Sequence, residues 1–159
     1  MNRYLLSVVA VTFFIVNTVF AESPGIECTA FIKQGENYKI AHTNQDCIKA
    51  ADLGGSSAQY SLGMSYGFAN KQNLEEKYYR LAANQGNIAA YLALGHALRQ
   101  KNVWESIYWY QRFVATKADG YGYAAVLLSG IFNELGDSAQ SKYWKAVCER
   151  SPYQDCVVK

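Results

Sequence analysis

The chain lacks an excess of charge of either sign: 15 lysines and arginines stand against 13 aspartates and glutamates in 159 residues, a formal net charge of +2. A nucleic-acid partner is held through a strong positive field, so none is expected. Histidine is scarce, with only His42 and His96, and no two cysteines have the Cys-x-x-Cys spacing, so a metal site is not expected either. The phosphate-binding patterns Gly-Lys-Ser/Thr and Gly-x-Gly-x-x-Gly are missing, as is the Gly-x-Ser-x-Gly of a nucleophilic serine. Ser56 and Ser57 follow two glycines, but serine ahead of an apolar run reads as a helix cap. His96 has no carboxylate fixed beside it in sequence and reads as a surface or packing residue. Glu75, Glu76 and Asp155 read as helix-start or solvent charges. No catalytic residue and no cofactor is therefore expected, and the chain reads as a non-enzyme. No Asn-Gly dipeptide occurs and no long run alternates with a period of two, so strands are not expected in the body of the chain.

What is present begins with an apolar run. Asn2 and Arg3 precede Tyr4 to Val16, and Val19-Phe20-Ala21 stands ahead of Glu22, the layout of a secretory signal peptide over residues 1–21. The run approaches the length of a membrane anchor, but the residues before Glu22 and the polar stretch after it favour cleavage. The expectation is a periplasmic or secreted protein with no stable membrane span once the leader is removed. Without Arg3 the charge is closer still to neutral. A mature chain of this size buries about two thirds of its unfolded surface in one core.

The remainder is organised by repetition. Ala58, Leu62 and Gly63 precede Ala90, Leu94 and Gly95 by 32 residues, and Ala124, Leu128 and Ser129 follow them by 34. A second motif keeps step: Tyr78-Tyr79-Arg80-Leu81-Ala82, then Trp109-Tyr110-Gln111-Arg112-Phe113, then Tyr143-Trp144-Lys145-Ala146-Val147. Two motifs alternating at a period in the low thirties signal a helical hairpin repeated along a solenoid. The recurring small residues mark close approach of the first helix of each hairpin to its partners. The aromatic pairs supply volume between layers, with at least the first member of each pair expected in the core.

Helix starts are expected at Ser56 or Ser57, at Asn73 with Glu76, at Asn87 and at Asn102 with Glu105, and Gly120, Gly136-Asp137 and Pro152 punctuate the later helices. Lys49-Ala50-Ala51-Asp52-Leu53-Gly54 matches Leu81-Ala82-Ala83-Asn84-Gln85-Gly86, so the array, residues 49–150, begins with the second helix of a truncated repeat. Residues 22–48 form an N-terminal cap and 151–159 a C-terminal one.

At these residues the chain resembles the Sel1-like repeat proteins, relatives of the tetratricopeptide repeats. That family's pattern runs Gly-(Asn/Asp/His)-x-x-Ala-x-x-x-Leu-Gly-x-x-Tyr, a loop, then Lys-Ala-x-x-Trp-Tyr-x-Lys-Ala-Ala. Gly86-Asn87, Ala90, Leu94 and Gly95 fit its first half, as do Ala58, Leu62, Gly63 and Tyr66, while Tyr78-Tyr79 and Trp109-Tyr110 fit its second. The loops differ from the family's Gly-x-Gly-Val-x-x-Asp, and the third repeat carries Ser129 for Gly and Phe132 for Tyr. The resemblance implies an all-α, right-handed α-solenoid of about three Sel1-like hairpins with disulfide-tied ends. It also implies a concave groove for a partner protein. Carried over by position, the groove comprises Tyr60, Met64, Gly67 and Phe68, then Leu92, His96, Arg99 and Gln100, then Val126, Gly130, Asn133 and Glu134. Leu92 and Val126 suit the core equally well, and the candidate partner-binding set is Tyr60, Met64, Phe68, His96, Arg99, Gln100, Asn133 and Glu134.

Small exported Sel1-like proteins include periplasmic immunity proteins that block phospholipase or other toxins of type VI secretion. The resemblance thus implies a protein partner, a toxin or an envelope component. An envelope or host-facing adaptor is the alternative, as is the cysteine-rich branch that binds cell-wall or β-lactam ligands.

Four cysteines, Cys28, Cys47, Cys148 and Cys156, lie after the leader. An even count in an exported chain favours two disulfides. Of three pairings, Cys28 with Cys47 and Cys148 with Cys156 closes the shortest loops, at the two ends of the array. The eight-residue step from Cys148 to Cys156 resembles a disulfide of the secreted Sel1-like proteins, which favours the same pairing.

Overall fold

The computed structural model describes Cys28 and residues 41–156; the expected signal peptide and most of the N-terminal cap lie outside the described residues. Seven helices follow in order within residues 41–156: α1 (Gln45–Asp52), α2 (Ser56–Phe68), α3 (Gln72–Asn84), α4 (Ile88–Leu98), α5 (Val103–Ala115), α6 (Tyr121–Glu134) and α7 (Ser138–Glu149). Among the described residues there is no strand, and no helix is long and apolar enough to cross a membrane. Each helix packs on the next from α1 to α7, an arrangement compatible with a helical-repeat solenoid.

Local chemistry starts most of these helices. Asn44 Oδ1 accepts from the backbone N–H of Asp46 and Cys47, Asn87 Oδ1 from Ala90, Asn102 Oδ1 from Glu105 and Asp137 Oδ1 from Gln140, so the orphan donors of four helices are satisfied by side-chain caps. Two expected caps differ. The α2 cap is Gly55, with Ser56 and Ser57 already helical. A Cβ on Gly55 would lie 2.9 Å from the Ala50 carbonyl oxygen, so the close passage of α1 selects glycine there. The α3 cap is Lys71, with Asn73 inside the first turn. Asn70 adopts φ 57 and Lys71 N–H reaches back to the Tyr66 carbonyl, which closes the turn and starts α3 ahead of Asn73.

The repeated leucines fill the core: Leu62, Leu94 and Leu128 are fully buried, each contributing about 1.5–3 kcal/mol of transfer free energy. Aromatic burial differs from the expectation. The second member of each pair is the core residue (Tyr79, Tyr110, Trp144), whereas the first is buried only at Trp109, and Tyr143 is 55 % exposed. The cause is the small residue opposite. A Cβ on Gly63 would stand 2.5 Å from Tyr79 Cδ1, and one on Gly95 2.5 Å from Tyr110 Cε1, so each ring lies directly on the backbone of the preceding helix. In the third pair Ser129 replaces the glycine and its hydroxyl donates to the Ser141 carbonyl at 2.9 Å. Trp109 Nε1 donates to Glu105 at 3.3 Å, while Trp144 Nε1 is buried with no partner.

Both ends are cross-linked as expected, Cys28 to Cys47 and Cys148 to Cys156, and no described cysteine is free. The first bond joins a small N-terminal core with Ala41, Ala50, Ala51, Ala58 and Leu62. The second holds the segment after α7 against the start of α6, where Gly122 leaves room for Ser151 and Tyr153.

Candidate functional site

Successive first helices leave a trough between them. Its walls come from two helices spaced by a hairpin: α2 presents Tyr60, Met64, Gly67 and Phe68, and α4 presents Ile88, Ala89, Leu92, Ala93 and His96. Tyr79 and Glu75 of α3 and Phe113 of α5 reach the same space, and Ala118 and Asp119 close one side. The volume is about 890 Å³ and the trough is open along its length. Apolar groups that a core would cover are left accessible here, with Phe68 56 % and Ile88 42 % exposed. The Tyr60 ring sits 5.8 Å from that of Tyr79, which fixes its place on the wall.

Two polar side chains shape the trough. Tyr110 is fully buried, its hydroxyl 3.0 Å from His96 Nδ1, and the His96 ring meets Tyr110 edge-on and Tyr123 at a tilt. His96 keeps an accessible edge, yet the rest of the ring is packed. Loss of solvent, with Arg99 adding to it, holds its pKa below the ordinary histidine value. Burial pushes the Tyr110 hydroxyl up to about 12. Glu75 is the second group. Its carboxylate lies against Gly67, where a Cβ would come within 2.7 Å of Oε1. Among the described residues it forms no side-chain hydrogen bond or ion pair. Burial raises its pKa, Lys101 opposes this, and Glu76 adds to it.

Neighbouring charges are otherwise consumed. The Arg80 guanidinium bridges Glu76 at 3.0 Å and Glu105, whose Oε2 lies 2.9 Å from Nη2, and Lys101 meets Glu76 at 3.3 Å. This ties α3 to α5, and the Arg80 hydrogen bond holds the Glu105 carboxyl below the usual range.

The sequence-derived binding set divides in two. Tyr60, Met64, Phe68 and His96 line the trough together. Arg99 and Glu134 do not line it and pair with each other at 2.6 Å between the ends of α4 and α6; Gln100 and Asn133 are exposed beside them. Of the carried-over positions, Gly130 is buried, Leu92 and Val126 are half-buried, and Leu92 lines the trough.

Glu75 lies in the first turn of α3, as its helix-start reading expects, and its side chain also lines the trough, which that reading did not include. Register holds the missed signal. Glu75 stands four residues before the buried Tyr79, as Ser106 stands before Tyr110, and Ser106 donates to the Gly95 carbonyl at 2.6 Å. The position therefore faces the preceding helix. Ile88 and Asp119, which also line the trough, carry no repeat signal of their own, whereas Phe113 belongs to the second repeated motif.

Against known proteins, no family model, no curated protein and no solved structure matches the chain.

Proposed function

We propose that this chain is an exported protein-binding module of Sel1-like type, a right-handed solenoid of three hairpins that receives a segment of a partner protein in the trough between α2 and α4. The observation that carries the reading is the trough itself, an open space of about 890 Å³ lined among the described residues by Tyr60, Met64, Phe68, Ile88 and Leu92. Apolar anchors with a polar edge are the composition of a protein-binding surface. Its volume also falls within the range of small-ligand sites, but such sites enclose their ligand with convergent polar groups. This trough is open and its polar groups are few, which favours a macromolecular partner. The two disulfides fit export to an oxidising compartment.

Within that class, the resemblance to exported Sel1-like proteins points to a periplasmic immunity protein that neutralises a toxin of type VI secretion, such as a phospholipase, by occlusion and without catalysis. Co-expression in a bacterial periplasm with the product of the adjacent open reading frame tests both levels. A neighbour that is toxic alone, with growth and a one-to-one complex restored together, supports the immunity reading. A harmless neighbour that does not co-purify overturns it. Loss of the complex on Tyr60→Ala and Leu92→Asp, with Arg99→Ala silent, assigns the trough; the reverse pattern removes it.

A further inference from the structure

The trough is apolar, but its charged lining has one sign. Glu75 and Asp119 are carboxylates, His96 has its pKa lowered by loss of solvent, and no lysine or arginine lines the space among the described residues. Basic side chains of the same helices and loops have partners: Arg99 on Glu134, Arg80 between Glu76 and Glu105, Lys117 over the Tyr121 ring, and Lys101 on Glu76, from where its charge also acts on Glu75.

The repeat shows that this charge is placed. In the next hairpin the position equivalent to Glu75 is Ser106, whose hydroxyl is satisfied by the Gly95 carbonyl, and the position equivalent to Gly67 is Arg99. In the α2–α3 pair both are changed at once. Glycine at position 67 opens the wall, and the Glu75 carboxylate reaches into the opening, where a Cβ on residue 67 would stand 2.7 Å from Oε1 and the carboxylate would have to turn aside. A carboxylate with solvent partly withdrawn and no hydrogen-bond donor among the described residues is stabilised when a cation meets it.

We propose that the trough selects a partner segment carrying a lysine or arginine flanked by large apolar side chains, the cation seated on Glu75 and the apolar groups between Tyr60, Met64 and Leu92. This rests on the trough being the binding face and adds the chemistry of what it accepts. Apolar contact supplies the area, and the Glu75 contact supplies the register, since a cationic donor placed one residue away leaves the carboxylate unpaired. Asp119 gives the approaching segment a further attraction of the same sign.

Panning a random twelve-residue phage library on the purified chain tests this, followed by titration of resynthesised peptides and two-dimensional NMR to locate them. The expected peptides perturb signals of Tyr60, Met64 and Leu92 and carry a lysine or arginine beside an aromatic or aliphatic residue. Glu75→Gln then weakens them about tenfold, Asp119→Asn weakens them less, and Tyr60→Ala weakens them all. A thermal melt of Glu75→Gln matching the parent shows that the loss is not one of folding. Peptides that occupy the trough without a basic residue, or that ignore Glu75→Gln, overturn the charge selection and leave the trough reading standing. Peptides that bind without perturbing the trough overturn both. If 4-phenylbutylamine occupies the trough and no peptide does, the occupant is a small amphiphilic amine and the partner-segment proposal falls.

Discussion

Gly95→Ala measures how tightly the repeat is built. The added methyl carbon would stand 2.5 Å from Tyr110 Cε1 and 2.6 Å from Cδ1, against an ordinary carbon–carbon contact of about 3.5–4.0 Å. The ring has little freedom to withdraw, being fully buried with its hydroxyl on His96. Overpacking of this kind costs about 1–3 kcal/mol. Alanine in a helix interior returns about 1 kcal/mol of propensity relative to glycine. The net expectation is a loss of up to about 2 kcal/mol, a fall in melting temperature of up to about 8 °C for a domain of this size. Circular dichroism melts and urea titrations read it directly. The companion variant is Gly95→Ala with Tyr110→Leu. If ring and methyl collide, the double variant loses less than the sum of the singles, by about 1 kcal/mol or more. A Gly95→Ala protein more stable than its parent, with the two substitutions additive in the double variant, would refute the close-packing argument and leave helix propensity as the governing effect at that position.

Arg80→Gln removes the bridge from α3 to α5; because both partners are part-exposed the expected cost is about 0.5–1 kcal/mol, diminishing at high salt, as denaturant midpoints would show. The Glu105 carboxyl, held low by Arg80, contributes stability that is full above its ordinary value of 4.5 and lost as pH falls through the lowered folded value; in Arg80→Gln an NMR titration should find that pKa moving back up. His96 is a base with a lowered folded pKa, so the unfolded chain takes up its proton first. Its contribution is therefore complete above about 6.5 and declines as pH drops below that, and the difference in melting temperature between parent and His96→Gln should narrow between pH 7.5 and 5. Removing the Cys148–Cys156 bond as a double serine variant frees a loop of separation 8, with an expected loss of about 2.5 kcal/mol by chain entropy; a melt unchanged by reductant would refute a structural role for it.

Repetition carried most of the fold in the sequence. The positions of Ala90, Leu94 and Gly95, with the aromatic pair spaced behind them, fix the helical period, which face is buried and where each hairpin turns, because these follow from residues within one turn or one loop of each other. Caps obeyed the same locality at Asn87, Asn102 and Asp137, where the side chain reaches its own helix. The local rule failed where another helix intervened: Gly55 replaced a serine cap because the end of α1 passes 2.9 Å from where its Cβ would be. Which aromatic of each pair enters the core was likewise a tertiary matter, decided by the bare backbone of Gly63 and Gly95 beneath Tyr79 and Tyr110. Sequence named Tyr60, Met64, Phe68 and His96 but not that Arg99 and Glu134 pair with each other, since those two are 35 residues apart and meet only when α4 and α6 stack. The trough and the half-buried carboxylate within it belong wholly to the tertiary structure: Glu75 and Gly67 are ordinary residues until two helices bring them together, and the charge of Glu75 acquires meaning only from the apolar walls around it.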